Sequence, residues 1–322
     1  MLRYLLIETT HAKKVLVEIY YFIKPVLPRW FQIYLRRRIV QWKRGVFSNI
    51  WPIDKSAAAP PKNWTGWPEG KQFALVLTHD VETTKGVARC RQLIEHEKKL
   101  GFRSSLNFVA YDYETALSLR HHVITQKFEI GLHGLNHAIN LFKSRKKFQS
   151  YALEINRYLK AWGAVGFRSP CMRHNLDWIS DLNIEYDSST FDTDPFEPQP
   201  DGLKTIFPLW VQGNHSNRGY VELPYTLPQD FTLFVLMEEK NIEIWKQKLD
   251  WIVEHGGMAL LNTHPDYMSF DDRVMSFDEY PVAHYVELLK YVTERYGNFC
   301  WNPLPREIAR FWATNMGKKY VG

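Results

Sequence analysis

Groups able to carry out metal-assisted hydrolysis recur where short apolar runs end. Residues 73–77 (FALVL) have the length and branching of a strand buried on both faces, and they pass directly into Thr78-His79-Asp80-Val81-Glu82. Strand alternation sends Asp80 and Glu82 one way and Val81 the other, so two carboxylates can share a pocket as metal ligand, base, or both. A second run, residues 128–132 (FEIGL), delivers His133 and His137. On the first turn of a helix this i, i+4 spacing would bring both imidazoles to one face, close enough to share a metal. Residues 164–167 end in Arg168, a guanidinium able to pair with a carboxylate such as Asp80 and hold it ionised. Residues 184–188 carry Asp187, and residues 258–262 (MALLN) lead to Thr263-His264. A strand-end histidine can act as a general acid when a carboxylate supports its protonated form. An isolated HxxxH or a lone arginine before a proline is commonplace; five strand ends bearing such groups form a pattern.

The elements that must position these groups alternate. Helical patterns at 86–100, 117–126, 144–162, 242–254 and 281–295 separate the apolar runs, with a strand at 103–109 and a closing helix at 303–316. This order predicts a parallel sheet or barrel, in which chemistry collects at the carboxyl ends of the strands. Residues 207–234 hold β-prone stretches, notably 220–223 and 230–235, expected to elaborate the barrel.

The chain has 322 residues, 45% of them hydrophobic, enough for one large α/β domain with an appendage. Three widely spaced cysteines, Cys90, Cys171 and Cys300, offer neither a disulfide framework nor a CxxC site and point to a reducing, cytoplasmic setting. The net charge of +6 is amino-terminal: residues 1–50 hold ten Lys or Arg against two Glu, and beyond them 31 basic residues face 33 acidic ones. Residues 1–50 read as a basic amphipathic helical extension, too often interrupted by charge to span a membrane. Two placements fit it equally: peripheral contact with an anionic membrane face, or packing on the protein's own barrel. Residues 51–70, rich in Pro, Gly and Ala, read as a linker, and residues 71–322 as the barrel. No recognition motif accompanies the basic run, and nucleic acid is not an expected partner.

Taken in order, THDVE (78–82), HGLNH (133–137), RSP (168–170), the Asp187 region and LNTH (261–264) resemble the five motifs of the polysaccharide deacetylase family, NodB-like metal-dependent carbohydrate esterases. The resemblance covers residues 73–295. It implies a distorted (β/α)7 barrel, here preceded by the N-terminal helical extension read from residues 1–50, and it implies roles. Asp80 matches the catalytic base, His133 and His137 the histidine ligands of a divalent metal, Arg168 the residue tethering the base, His264 the catalytic acid, and Asp187 the partner of His264. The chain departs from the usual pattern twice. Val81 stands where the family has a second aspartate, which makes Glu82, spaced as in a D-x-D variant, the third ligand; Cys171 follows Pro170 where an aromatic is usual. The implied activity is hydrolysis of an N-acetyl or N-formyl group on an aminosugar or glycan; the basic extension, suited to a membrane face, adds the expectation of surface-glycan or lipid-linked sugar metabolism. Zn2+ is the favoured ion, with Co2+, Mn2+ or Ni2+ also suited to such ligands. Two other readings are a non-catalytic carbohydrate-binding scaffold of the same fold and an amidase acting on a small cyclic amide.

Overall fold

A computed structural model of the chain describes residues 27–113, 117–137, 139–213, 219–271 and 275–316. The expected helices of residues 1–26 lie outside them. The central strand, β1 (Phe73–Val81), is buried along its whole length. A strand walled on both sides by other elements needs apolar residues on both faces, which is why residues 73–77 show no alternation. β1 pairs in parallel with β2 (Ser104–Phe108) on one edge and β8 (Met258–Thr263) on the other. Parallel pairing continues from β2 through β3 (Glu129–Leu132), β4 (Gly166–Phe167) and β5 (Tyr186–Asp187) to β7 (Tyr220–Glu222). β6 (Leu209–Val211) lies antiparallel to β7, so it elaborates the sheet without lengthening the parallel series. Past β7 the chain reaches β8 through a single parallel bridge, Leu227 to Leu261, which curls the sheet into a distorted seven-stranded barrel.

Helices cover the outside. α1 (Arg29–Val46) precedes the barrel; α2 (Thr84–Lys99), α3 (Leu117–Thr125) and α4 (Arg145–Trp162) follow β1, β2 and β3, and a single turn, α5 (Leu176–Ile179), follows β4. α6 (Glu243–Glu254) packs on β8, α7 (Val282–Tyr296) lies against α6 and α2, and α8 (Pro305–Asn315) packs on β7, β1 and β5. The ends follow ordinary capping rules: Thr83 and Ser144 accept from the first turns of α2 and α4, and Gly163, at φ +63°, closes α4 in a left-handed conformation.

One expected strand is helical. Residues 230–235 look β-prone, but Phe231–Leu236 form a wide π-helical turn with all six residues buried. Burial on every side removes the periodicity that distinguishes a helix from a strand, leaving only β-favouring side chains to be read. α1 packs its Ile33 and Val40 into the core over this turn, and Arg37 donates to the Val235 carbonyl at 2.9 Å. Of the two placements open to the extension, the described helix has its buried face on the barrel. No helix among the described residues is long and apolar enough to cross a membrane.

Candidate active site

The carboxyl ends of β1, β2, β3, β4 and β8 converge on one buried cluster. Asp80, near the end of β1, accepts at Oδ1 from Asn107 Nδ2 (2.9 Å) and Arg168 Nη1 (3.2 Å), and at Oδ2 from Asn262 Nδ2 (2.8 Å). Burial alone would push this carboxyl up; Arg168, His133 and His264 around it, together with the Asn107 bond, outweigh burial and hold it far below the usual carboxylate range. Arg168 is itself fully buried, its guanidinium also donating to Thr78, Asn262 and Ser188. It is therefore fixed in place.

Alternation along β1 works as expected. Val81 turns outward into the core between the sheet and its helices, and His79 turns outward to bond Thr263 and Glu97 at 2.7 Å each. Glu82 emerges on the Asp80 side. Its Oε1 lies 3.4 Å from His137 Nε2, and its Oε2 accepts from the Tyr267 hydroxyl at 2.8 Å. Burial opposes the ionised form, but His137, His264 and His133 hold Glu82 down at about 2.

His133 and His137 do come together, with ring centroids 4.9 Å apart, but on a loop rather than a helix. Gly134 is the reason: its φ of +64° turns the chain straight after β3, and a Cβ there would press on the Pro170 ring at 2.6 Å. His133 Nδ1 sits 3.2 Å from the Arg168 carbonyl, which selects the tautomer protonated at Nδ1 and leaves Nε2 as a free donor pair. Burial drives His133 down to about 4, whereas Glu82 overcomes burial at His137 and lifts it to about 9.

Glu82, His133 and His137 each offer one ligand atom, and all three atoms lie within 4.8 Å of one another. His137 Nε2 is buried without a hydrogen-bond partner. An orphaned imidazole nitrogen facing a carboxylate oxygen at a distance too long for a good hydrogen bond is what a divalent cation would satisfy, so the donor set fits a metal. Cys171, at φ +57°, stands beside His137 as a small wall residue. Burial raises its thiol, but hydrogen bonding to His137 leaves it below its ordinary value.

The carboxylate beside His264 is Asp230, not Asp187. Asp230 Oδ1 is 2.7 Å from His264 Nδ1, and Oδ2 accepts from the His264 backbone N–H (2.8 Å) and the Tyr280 hydroxyl (2.9 Å). Burial disfavours the imidazolium, yet Asp230 lifts it to about 10, and Nε2 points to Glu82 Oε1 at 4.0 Å. Asp187 is buried one strand away, bonded to Ser189 and paired with Glu222, both carboxyls pushed upward by burial. The difference arises because the π-helical turn aims Asp230, its first flanking residue, at the end of β8. Four further residues were not singled out from sequence: Asn107 and Asn262, which hold Asp80; Asp266, which accepts from the backbone of Glu82, Thr83 and Gly86; and Tyr267. A polar side chain at the end of the apolar run 258–261 was the available signal for Asn262; Asn107, in a strand that also holds Ser104 and Ser105, offered none.

No family model and no curated protein matches the chain. Solved structures do. A protein from Mycobacterium smegmatis assigned as a polysaccharide deacetylase superposes with a TM-score of 0.56 at 18% identity, over 78% of this chain and 94% of that one. The PuuE allantoinase gives 0.56 at 14% identity, over 77% and 92%. A further protein assigned as a polysaccharide deacetylase, from Pseudomonas aeruginosa PAO1, gives 0.53 at 17% identity, over 77% and 93%. The chain has the NodB-like polysaccharide deacetylase fold. Its sheet is the distorted (β/α)7 barrel of that type.

Proposed function

We propose that the chain is a metal-dependent hydrolase that removes an N-acyl group, acetyl or formyl, from an aminosugar or glycan of surface-glycan or lipid-linked sugar metabolism. The observation that carries this reading is the juxtaposition of Asp80 paired with Arg168, a Glu82–His133–His137 donor set, and His264 backed by Asp230. Glu82, His133 and His137 would hold a divalent ion, Zn2+ by preference, with Co2+, Mn2+ or Ni2+ also accommodated. Bound there, the ion supplies Lewis acidity toward the acyl oxygen and the attacking water.

The chain's own groups do the rest. Asp80 accepts the proton of the attacking water, kept ionised by Arg168 and oriented by Asn107 and Asn262. His264, whose Nε2 faces Glu82 of the donor set, delivers a proton from Nε2 to the departing amine, with Asp230 stabilising the imidazolium before transfer. A scaffold that only binds carbohydrate has no need of an acid and a base set apart in this way. Asp80→Asn is expected to keep stoichiometric metal and to lose turnover by about 10²–10⁴-fold. Undiminished turnover of N-acetyl sugars by that variant would overturn the assignment.

A second reading, hydrolysis of a small cyclic amide, draws on the likeness to an allantoinase, as close as that to the deacetylase-assigned structures. A panel of N-acetyl sugars, N-formyl sugars and cyclic amides separates the two.

A further inference from the structure

α1 carries two rows of polar side chains, and they do different work. Arg37, Gln41 and Arg44 fasten the helix to the barrel: Arg37 donates to the Val235 and Phe277 carbonyls (2.9 and 2.8 Å), Gln41 to the Met237 carbonyl (3.4 Å), and Arg44 pairs with Glu239 (2.5 Å). Arg29 and Arg36, seven residues apart, lie two turns from each other on a neighbouring stripe, separated by about 10.5 Å of helix axis. That stripe borders the active-site mouth.

Arg29 Nη2 is 3.4 Å from the Tyr267 hydroxyl, and the same hydroxyl donates to Glu82 of the metal-ligating set. Arg36 lies over the Phe231 ring, 4.7 Å from its centroid; Phe231 follows Asp230, and its ring packs 4.7 Å from that of Tyr267. The two guanidinium groups therefore flank a single aromatic ledge, Phe231 and Tyr267, that joins the metal-ligating carboxylate to the His264–Asp230 pair. Their side chains are not used up in structure. Arg29 is about half exposed and otherwise only approaches Asp278 at 3.9 Å. Arg36 makes no hydrogen bond among the described residues, although its charge offsets part of the burial that raises the Glu197 carboxyl. Arginine has five donors in a planar fork suited to phosphate oxygens, and two such forks on one helix face match a dianion better than a single carboxylate does.

We propose that Arg29 and Arg36 form a phosphate-binding row at the active-site mouth, and that the substrate is an N-acylated aminosugar bearing a phosphate or diphosphate ester. The proposal rests on the hydrolase reading and narrows its substrate class. The weak overall charge of the barrel is no obstacle, because the positive charge is local and comes from the extension.

The test uses the full chain loaded with metal and compares N-acetylglucosamine with its 1-phosphate, with its nucleotide diphosphate, and with a polyprenol diphosphate form dispersed in detergent. Phosphate-bearing sugars should show kcat/KM about 10- to 100-fold above the neutral sugar, mainly through KM, and the preference should collapse toward unity in R29Q/R36Q while persisting in R38Q. Preference for the polyprenol form over the nucleotide form would identify a lipid carrier as the source of the phosphate; the reverse would identify a soluble one. Equal kcat/KM for neutral and phosphorylated sugars, or a preference retained in R29Q/R36Q, would overturn the row. Should no sugar be hydrolysed, the hydrolase reading fails by itself. Calorimetric binding of inorganic pyrophosphate to the metal-free protein then decides the row, tenfold or greater weakening in R29Q/R36Q supporting it and equal affinity refuting it.

Discussion

A carboxylate that accepts from both the backbone and the ring of one histidine fixes that ring's tautomer as well as its charge. Asp230 does this for His264, and the Tyr280 hydroxyl holds the second oxygen so that the carboxylate itself cannot rotate. Asp230→Asn is therefore expected to lower kcat by roughly 100-fold with metal content unchanged. Asp187→Asn, which touches Ser189 rather than the site, should change kcat by no more than a few-fold. Comparable losses in both variants, measured side by side on the same acyl sugar, would contradict this division. The contrast shows what was legible at the level of single residues. Motif order placed Asp80, Glu82, His133, His137, Arg168 and His264 together, because all but His137 sit within a residue or two of a strand end and His137 follows four residues after His133. It named Asp187 as the partner of His264, where the structure has Asp230, since that choice depends on which loop crosses the barrel mouth.

Between elements, the site depends on how closely strands approach. Gly131 in β3 faces Asn107 in β2, and a Cβ added there would stand 2.0 Å from Asn107 Oδ1. Asn107 would have to turn away and release the 2.9 Å bond that it gives to Asp80. Gly131→Ala should thus cost about 1–3 kcal/mol of stability and also reduce turnover, although residue 131 touches none of the reacting groups. Stability and kcat measured together check this; a variant with native kcat would show that Asn107 is dispensable for Asp80. The same scale explains the misread turn at 231–236. Strand and helix boundaries elsewhere follow capping residues visible in the sequence, such as Thr83 and Ser144, but a segment buried on all sides advertises only its composition.

Across the whole molecule, Glu279 ties distant segments together by pairing with Arg89 and Lys85 of α2 and accepting from the Ser276 N–H. Burial opposes its charge, but these partners outweigh burial and hold it at about 2, against an ordinary value of 4.5. A carboxyl depressed on folding stabilises the native state fully above pH 4.5, and the contribution is lost as pH falls through about 2. Urea midpoints followed from pH 5 to pH 2 should fall less steeply in Glu279→Gln than in the parent; identical slopes would remove Glu279 from the acid response. The alternation of the sequence was enough to give the barrel, whereas the docking of α1 was not, because an amphipathic basic helix suits a protein surface and a lipid surface alike.

The barrel's seam has a consequence for the site. Where β8 meets the chain beyond β7, only one strand bridge closes the circle, and the Thr226 hydroxyl stands in for a peptide group, accepting from the Leu260 N–H at 2.9 Å and donating to the Met258 carbonyl at 2.8 Å. Seven staves share six joints made by strand pairing, and the seventh joint is held largely by a clasp. Asp230 belongs to one side of that clasp and His264 to the other, so opening the barrel at this seam would part the histidine from the carboxylate that supports its protonated form.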